Sequence, residues 1–484
     1  MGRYADWCRM TRKNKMQTNS LLGAIVTLML GGVYVGSSIF NIHLRIQGWA
    51  KHQTDGMILL VVNLFYIGAV VGSFLGAALV DRMEKLALSR FYFVAMGLAC
   101  ILQVILPKNI ILVGFARGLA GISHGMAYLI VLLHGGEVLT RELRGVTIAA
   151  VNYIMFIGIL SHGTISPIVL SNYYVQPVRI FGIIGVLSIL MAVAIGQFMS
   201  IESPIFLVRN NRDAEAIRTL MKLRSETMES FDVRNAFAEI KDMLREDSNT
   251  SCKVLADGNW FPLLLTCVGK IGAALSFNAA VNRVRLAIID QVFCMNMYCF
   301  SAIVIIAIRC TIGIIAVFTV DKYGRKPQQA ISTFLSGAIL TSVGVVYLIT
   351  EKINRTAMVV VLLIYDAVAC IGVTQVPDVH LSEAFPTTKK NLSIALVLTV
   401  ECAAQVMMLS ISYWWDYSNP DIYGPILLAC GLPMIMISIF LYQILPETAK
   451  LSLRNSRAAF ARNEAVFKVE CRSNCSSISG YDVR

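Results

Sequence analysis

Four ionisable residues lie within long apolar segments, where a charged side chain needs either a partner or a function. Lys270, Arg309, Asp378 and Glu401 each lie inside a mostly apolar run. A charged side chain at the centre of a bilayer costs at least ~2.5–3.5 kcal/mol, so such residues are usually paired or functional. Either Arg309, Asp378 and Glu401 neutralise one another inside a helix bundle, or the charges line a cavity that prefers a charged or zwitterionic solute. A fifth residue, Asp366, lies nearer the end of its run, where it could be interfacial.

The composition of the chain places these charges in a membrane protein. Of its 484 residues, 56% are hydrophobic and 15% are charged, whereas an ordinary soluble domain carries about 25% charged residues. This excludes a soluble enzyme, a disordered scaffold and a small disulfide-stapled secreted domain. The net charge of +12 is expected from basic cytoplasmic loops, and no nucleic-acid partner is predicted.

No catalytic or metal-binding motif accompanies these charges. The sequence contains no Walker loop, GxGxxG fingerprint or nucleophile motif, which argues against an enzyme or an ATP-driven pump. The cysteines show no CxxC spacing and the histidines show no metal-ligand spacing, so we expect neither a metal site nor a cofactor.

Twelve apolar runs are long enough to cross a bilayer, because about 20 helical residues cover a ~30 Å hydrocarbon core. We number them spans one to twelve, and they cover residues 21–41, 57–80, 88–106, 109–133, 146–169, 180–200, 260–281, 297–320, 328–350, 357–379, 392–414 and 422–445. With the N-terminus in the cytoplasm, 31 of the 42 Lys and Arg residues fall in cytoplasmic segments. This distribution predicts an all-α polytopic membrane protein with both termini in the cytoplasm and the lipid bilayer as its surroundings.

The spans predict five segments along the chain. A cytoplasmic N-terminus (1–20) precedes an N-terminal six-helix bundle (21–200). A cytoplasmic linker (201–259) follows, in which apolar residues at three- and four-residue spacing predict amphipathic helices over 212–224 and 231–244. The C-terminal six-helix bundle (260–445) and a cytoplasmic tail (446–484) complete the chain.

Charged signatures of the first bundle recur in the second in the same order. The first pair, after spans two and eight, is Asp81 and Asp321, 240 residues apart. Glu137 and Arg144 of the first bundle correspond to Glu383 and Lys390 of the second, at an offset of 246 residues. Glu202 corresponds to Glu447, at an offset of 245 residues. Two similar six-helix halves follow from this repeat, and parallel repeats of this kind are typical of transporters whose halves rock about a midplane site.

The residues that carry these signatures resemble the sugar porter branch of the major facilitator superfamily over residues 20–450, with insect-type sugar and trehalose porters nearest in general appearance. The matching residues are Asp81-Arg82, Arg117, Gly121, Gly125, Glu137, Arg144-Gly145, Gly158-Ile159-Leu160, Glu202-Ser203-Pro204, Asp321-Lys322-Tyr323-Gly324-Arg325-Lys326, Glu383-Ala384-Phe385-Pro386, Lys390 and Pro446-Glu447-Thr448. The resemblance implies the major facilitator fold, alternating access, facilitated diffusion of a hexose, disaccharide or polyol, a plasma-membrane location and function as a monomer.

The resemblance also implies an inner-gate charge network that holds the cytoplasmic side shut while the outer side is open. We call it the gate network, and its candidates are Asp81, Arg82, Arg117, Glu137, Arg144, Glu202, Asp321, Arg325, Lys326, Glu383, Lys390 and Glu447. The alternative is that these charges serve only topology and helix ends. Glu84 departs from the family, which usually has Gly there.

A sugar site, as the resemblance implies it, uses neutral amides and an aromatic ring, and this sequence keeps few of them. Amide positions of the family hold Asn152, Arg309, Glu401 and the pair Ala273-Ala274, and Asp378 replaces a Trp. The substrate-site candidates are Asn152, Lys270, Asn278, Arg309, Asp378 and Glu401.

Three functions remain open on this basis. The first is a facilitative sugar transporter, the second a carrier of charged organic solutes that could be ion-coupled, and the third a non-transporting sensor on the same fold. Coupled family members carry a carboxylate in span one, whereas Gly31–Ser38 contains none, which favours a uniporter.

Overall fold

The computed structural model describes residues 14–40, 53–170, 176–248, 259–293, 298–350 and 353–464. The described part contains twelve helical spans that are long and apolar enough to cross a membrane. They are Leu22–Phe40, Asp55–Leu79, Lys85–Ile105, Ile110–Val138, Arg141–Ser166, Pro177–Met199, Trp260–Val292, Ser301–Thr319, Arg325–Ile349, Arg355–Glu383, Lys390–Tyr413 and Pro420–Ile444. The predicted number and order of spans are confirmed.

Spans seven and ten are each built from two helices. Span seven is broken between Trp260–Ser276 and Ala279–Phe293, and the Asn278 side chain caps the second helix by accepting the Val281 N–H at 3.0 Å. Span ten is broken between Arg355–Gly372 and Val376–Glu383. Pro377 lies in the first turn of that second helix, where its missing N–H costs nothing.

Span seven is longer than the predicted 260–281. The second helix continues to Phe293 and carries Arg283 and Arg285, which the sequence analysis had counted in an external loop. Because charges interrupt the apolar run, hydropathy ended the span too early. Arg285 is fully buried.

Glycines allow the closest helix packing in the first half. A Cβ on Gly125 of span four would lie 1.9 Å from the Ala69 carbonyl oxygen, and a Cβ on Gly121 would lie 2.1 Å from the Phe65 carbonyl oxygen. Spans two and four therefore touch through their backbones, which small residues permit in membrane helices.

The linker forms three helices, Pro204–Arg209, Asp213–Leu223 and Phe231–Ser248, at one end of the bundle, which we call the linker end. Leu207, Val208 and Ala216 form a small apolar cluster with Phe237 and Ile240. The two predicted amphipathic helices are confirmed, and a further helix covers residues 453–464 of the tail. The predicted N-terminus before residue 14 and the tail after residue 464 lie outside the described residues.

The two halves meet at the end of the bundle opposite the linker end. The Asn63 amide of span two donates to the Ser410 hydroxyl of span eleven at 3.1 Å, and the Tyr413 hydroxyl donates to Asp55 at 2.7 Å. These contacts therefore close the space between the halves at this end.

Candidate functional site

A central cavity of about 80 Å³ lies between the two halves. Because one water needs about 10–15 Å³ on the same measure, the cavity has room for several waters. Its wall is formed by residues of both halves, namely Val35, Ile39, Phe65, Tyr66, Ala69, His124, Tyr128, Asn152, Met155, Phe156, Lys270, Ala273, Phe277, Thr374, Leu398, Glu401, Cys402 and Gln405. In transporters whose two halves rock against each other, the solute site lies in this position between the halves.

Aromatic rings and hydrogen-bonding groups share the cavity wall. Phe156 of the first half and Phe277 of the second meet edge to face, with ring centroids 5.2 Å apart. The Gln405 amide donates to the Phe277 carbonyl at 3.0 Å and leaves its oxygen available. Rings offer flat apolar faces, whereas amides, phenols and carboxylates offer partners for hydroxyl groups.

Lys270 is the centre of a buried charge cluster on this wall. Its ammonium lies 2.5 Å from Asp378 and 2.9 Å from Glu401, and donates to the Tyr128 hydroxyl at 2.6 Å. The Lys270 and Asp378 side chains are each 1% exposed, but that of Glu401 is 22% exposed. The lysine charge is therefore satisfied within the protein, and Glu401 is the carboxylate that faces the cavity.

Asp378 joins the halves through hydrogen bonds. The Asn152 amide of span five donates to Asp378 at 2.6 Å and to the Thr374 carbonyl at 2.7 Å, and the Tyr128 hydroxyl also donates to Asp378. Hydrogen bonds to a charged group are worth about 1.5–3 kcal/mol. Separation of the halves at this level requires these bonds to be broken or replaced.

Arg309 does not belong to this cluster. It pairs with Asp366 at 2.7 Å, and Arg285 of span seven pairs with the same carboxylate. The interpretation that Arg309, Asp378 and Glu401 neutralise one another is therefore wrong in its pairing. The interfacial placement of Asp366 is also wrong, because its side chain is 1% exposed between two arginines.

The six substrate-site candidates divide into two groups. Asn152, Lys270 and Glu401 line the cavity, and Asp378 lies directly behind them. Asn278 instead bonds to its own broken helix, and Arg309 lies behind the ring of Phe277, 4.5 Å from its centroid. The sequence had missed Tyr128 and Arg285, because a tyrosine in an apolar run has no distinguishing spacing and Arg285 lay beyond the predicted span.

At the linker end, the first half forms a compact charged group. Lys85 pairs with Glu137, which also accepts the Ser203 hydroxyl. The Glu202 carboxylate accepts the backbone N–H of Lys85 at 2.8 Å, and burial raises the pKa of Glu202. Lys85 was not predicted, although it stands 240 residues before Arg325 and the repeat offset identifies it.

The second half repeats this arrangement. Arg325 pairs with Glu383 at 2.5 Å and with Asp321 at 2.9 Å, and its backbone N–H donates to Glu447 at 3.0 Å. Glu447 also accepts the backbone N–H of Lys326 at 3.1 Å. Burial raises the pKa of Asp321.

Reciprocal contacts then join the two groups across the halves. Arg144 of the first half pairs with Glu383 of the second at 3.1 Å. The Asn391 amide of span eleven donates to Asp81 at 2.6 Å. In the opposite direction, Asp321 lies so close to Gly145 that a Cβ there would be 2.1 Å from its carboxylate oxygens.

Lys390 also reaches across the halves, whereas two other gate-network candidates do not. A Cβ on Gly136 of span four would lie 2.5 Å from Lys390 Nζ. Arg82 is exposed and forms no ion pair with a described residue. The Lys326 side chain lies over the ring of Tyr442, 5.7 Å from its centroid, within its own half.

Arg117 requires a correction, because its place is not in the gate network. It lies near the start of span four, at the end of the bundle opposite the linker, and donates to the Val61 carbonyl and the Ser37 hydroxyl, both at 2.9 Å. The assignment followed the family resemblance, whereas the predicted topology already puts the start of span four at the outer end of the bundle.

Comparisons with known proteins agree with this architecture. The family model for "Sugar (and other) transporter" matches residues 8–460. The facilitated glucose transporter member 2 of solute carrier family 2 from Sus scrofa is 23% identical over 86% of this chain and 80% of its own length. The glucose transporter GlcP of Staphylococcus epidermidis is 24% identical over 90% of this chain and 94% of its own.

Solved structures of the xylose transporter XylE have the same fold. A double tryptophan mutant superimposes with a TM-score of 0.78 at 17% identity, covering 93% of this chain and 99% of XylE. The inward-open form from E. coli gives a TM-score of 0.60 at 18% identity and the same coverage. At these identities the similarity establishes the major facilitator fold, with twelve spans in two six-helix bundles.

Proposed function

The chain belongs to the sugar (and other) transporter family, and from this membership and the central cavity we propose that it transports a neutral polyhydroxylated solute, such as a hexose, trehalose or a polyol. The main support for this proposal is a cavity between the halves whose wall combines aromatic rings with amide, phenol and carboxylate groups. Sugar rings stack on aromatic faces, and their hydroxyl groups exchange hydrogen bonds with such groups.

The neutral substrate is favoured because the charges near the cavity already satisfy one another. Lys270 is shared by Asp378 and Glu401 and is 1% exposed, so it is not available to an anionic solute. Arg309 is held by Asp366 behind the Phe277 ring. The described residues of the cavity wall include no accessible lysine or arginine that could pair with an organic anion, whereas hydroxyl groups can bond to Asn152, Gln405 and Glu401.

Glu401 supports a second candidate, a solute with a protonated amine. Its carboxylate is the partly exposed charge of the wall, and it has aromatic neighbours, with Tyr66 and Phe277 on the same cavity. Carboxylate and ring faces together suit an organic cation. This candidate and the neutral sugar differ in one measurable property, because only the cation needs the charge of Glu401.

We propose further that the gate network closes the linker end during transport. The Arg144–Glu383 pair, the Asn391–Asp81 bond and the approach of Asp321 to Gly145 join the halves there. Solute that replaces the Asn152–Asp378 bond would favour separation of the halves on that side. The carrier works as a uniporter in this proposal, since span one lacks the carboxylate that coupled members of the family carry there.

The location and orientation form the last part of the proposal. The charge distribution of the sequence supports cytoplasmic termini and a cytoplasmic linker end, since 31 of the 42 basic residues fall on that side. The carrier would act as a monomer, because one chain supplies both walls of the cavity. The plasma membrane is the location that the resemblance to sugar porters implies.

Uptake into proteoliposomes tests the transport proposal. Vesicles with the full chain receive labelled glucose, trehalose, a polyol, glucosamine or an organic anion, and the expected result is saturable uptake of a neutral solute without a proton gradient. Glu401→Gln should preserve uptake of the neutral solute and abolish that of an amine. No saturable flux of any neutral solute by folded protein would overturn the proposal, and ligand-induced stabilisation without flux would identify a sensor.

A further inference from the structure

Arg117 is a buried cation that the transport proposal does not use. Its side chain is almost fully buried, with the residue 3% exposed. Nε donates to the Val61 carbonyl and Nη1 to the Ser37 hydroxyl, both at 2.9 Å, and Nη2 donates to the Ser38 hydroxyl. These acceptors are dipoles without a full negative charge, so hydrogen bonding is satisfied but the positive charge is not neutralised.

No carboxylate of the first half compensates this charge. Between residues 21 and 200 the sequence contains five acidic residues. Each has another partner, in the pairs Asp55–Tyr413, Asp81–Arg209, Glu84–Arg212, Glu137–Lys85 and Glu142–Arg141. Residues 41–52 and 167–175, which the structure does not describe, contain no Asp or Glu. Arg117 therefore has no carboxylate partner in its own half, and an anion from outside the chain can supply the missing counter-charge.

A small cavity adjoins the guanidinium. The cavity measures about 30 Å³, which is room for about two waters or one small ion. Besides Arg117, its polar lining consists of Tyr34, Ser37, Cys100, Gln103 and His162. The Tyr34 hydroxyl is buried, is hydrogen-bonded to the Cys100 thiol, and has no oxygen or nitrogen partner among the described residues. Guanidinium, phenol and amide groups are hydrogen-bond donors, and together they provide an environment for an anion.

We propose that this cavity binds one halide ion, chloride under physiological conditions, with Arg117 as its counter-charge and Tyr34 and Gln103 as further donors. The volume excludes large anions such as gluconate. Since Arg117 fastens span four to spans one and two, an ion that neutralises it stabilises the helices that form one wall of the central cavity. The site lies at the end opposite the linker, separate from the solute site.

Thermal unfolding of the purified full chain tests this proposal. Chloride replaces gluconate at constant ionic strength, and then bromide replaces chloride. The unfolding midpoint should rise with either halide along a single-site saturation curve, because a ligand that binds only the folded state stabilises it. Arg117→Gln should abolish this dependence. Arg179→Gln is the matched control, since Arg179 is exposed and its Nε donates to the Val104 carbonyl at 3.1 Å.

Two further measurements keep the proposal testable if Arg117→Gln does not fold. Tyr34→Phe and Gln103→Leu each remove one neutral donor and should weaken halide affinity by roughly threefold to tenfold, the equivalent of one such hydrogen bond. Bromide anomalous diffraction should give a peak in the cavity. Equal stabilisation by gluconate, unchanged halide dependence in these variants, or a cavity without the bromide peak would each overturn the proposal.

Discussion

The ion pair between Arg144 and Glu383 allows a sharp test of the gate network. Among the ion pairs between described residues, this is the one that joins the two six-helix halves directly. Its N···O distance is 3.1 Å, and its side chains are 5% and 0% exposed. Arg144→Gln removes this pair. Glu383 keeps its second partner, Arg325, at 2.5 Å, so no buried carboxylate is left without a cation.

The second partner sets the magnitude of the effect. An uncompensated buried charge costs about 3–5 kcal/mol, but Glu383 stays compensated in this variant. The loss is then that of a charge-assisted hydrogen bond, about 1.5–3 kcal/mol. Since 1.4 kcal/mol is about a tenfold change in an equilibrium constant, the population open at the linker end should rise by roughly 10- to 150-fold.

Hydrogen–deuterium exchange measures this population without labels. Amides of residues 139–146 and 384–392 should exchange faster in Arg144→Gln, because they become accessible when the linker end opens. Arg141→Gln is the control, since Arg141 pairs with its neighbour Glu142 at the surface, with side chains 62% and 40% exposed. Unchanged exchange in Arg144→Gln, or an equal increase in Arg141→Gln, would refute the reasoning.

Three further predictions follow from other contacts. Gly125→Ala should prevent correct folding, because its Cβ would meet the Ala69 carbonyl, whereas Gly118→Ala, with open space at that position, should change stability by less than about 1 kcal/mol in unfolding assays. Glu401→Gln should leave uptake of a neutral sugar within about threefold of wild type at saturating solute, since each ordinary hydrogen bond is worth only ~1 kcal/mol. Burial raises the pKa of Glu202 above 4.5, so its contribution to stability falls as pH rises through that raised value, and Glu202→Gln should flatten this part of a melting profile.

The fold could be predicted from the sequence because membrane spans have a strong, local signal. Apolar length gave twelve spans, and the charged repeat gave two halves. The prediction failed for the length of span seven, because a charged residue such as Arg285 is expected in a loop unless its partner Asp366 is known to lie beside it. Burial of a charge depends on its partner, and the partner is 81 residues away.

The site was predicted less completely than the fold. Asn152, Lys270 and Glu401 were found because amides and charges are rare in apolar runs, and all three line the cavity. Their pairing could not be found, because helix rotation decides which of two nearby carboxylates meets a given cation. Tyr128 carried no signal at all, since one more aromatic residue in a membrane helix is unremarkable in sequence.

The two reciprocal contacts at the linker end differ in how much movement of the helices they allow. Asp321 lies against bare backbone at Gly145, where there is no room for a side chain, whereas Asp81 accepts from the flexible amide of Asn391 at 2.6 Å. A tight steric contact resists sliding, but a side-chain hydrogen bond can stretch and rotate as the helices shift. We therefore expect the halves to part first between spans two and eleven and to pivot about the contact of Asp321 with span five, so that an outwardly symmetrical molecule opens from one side.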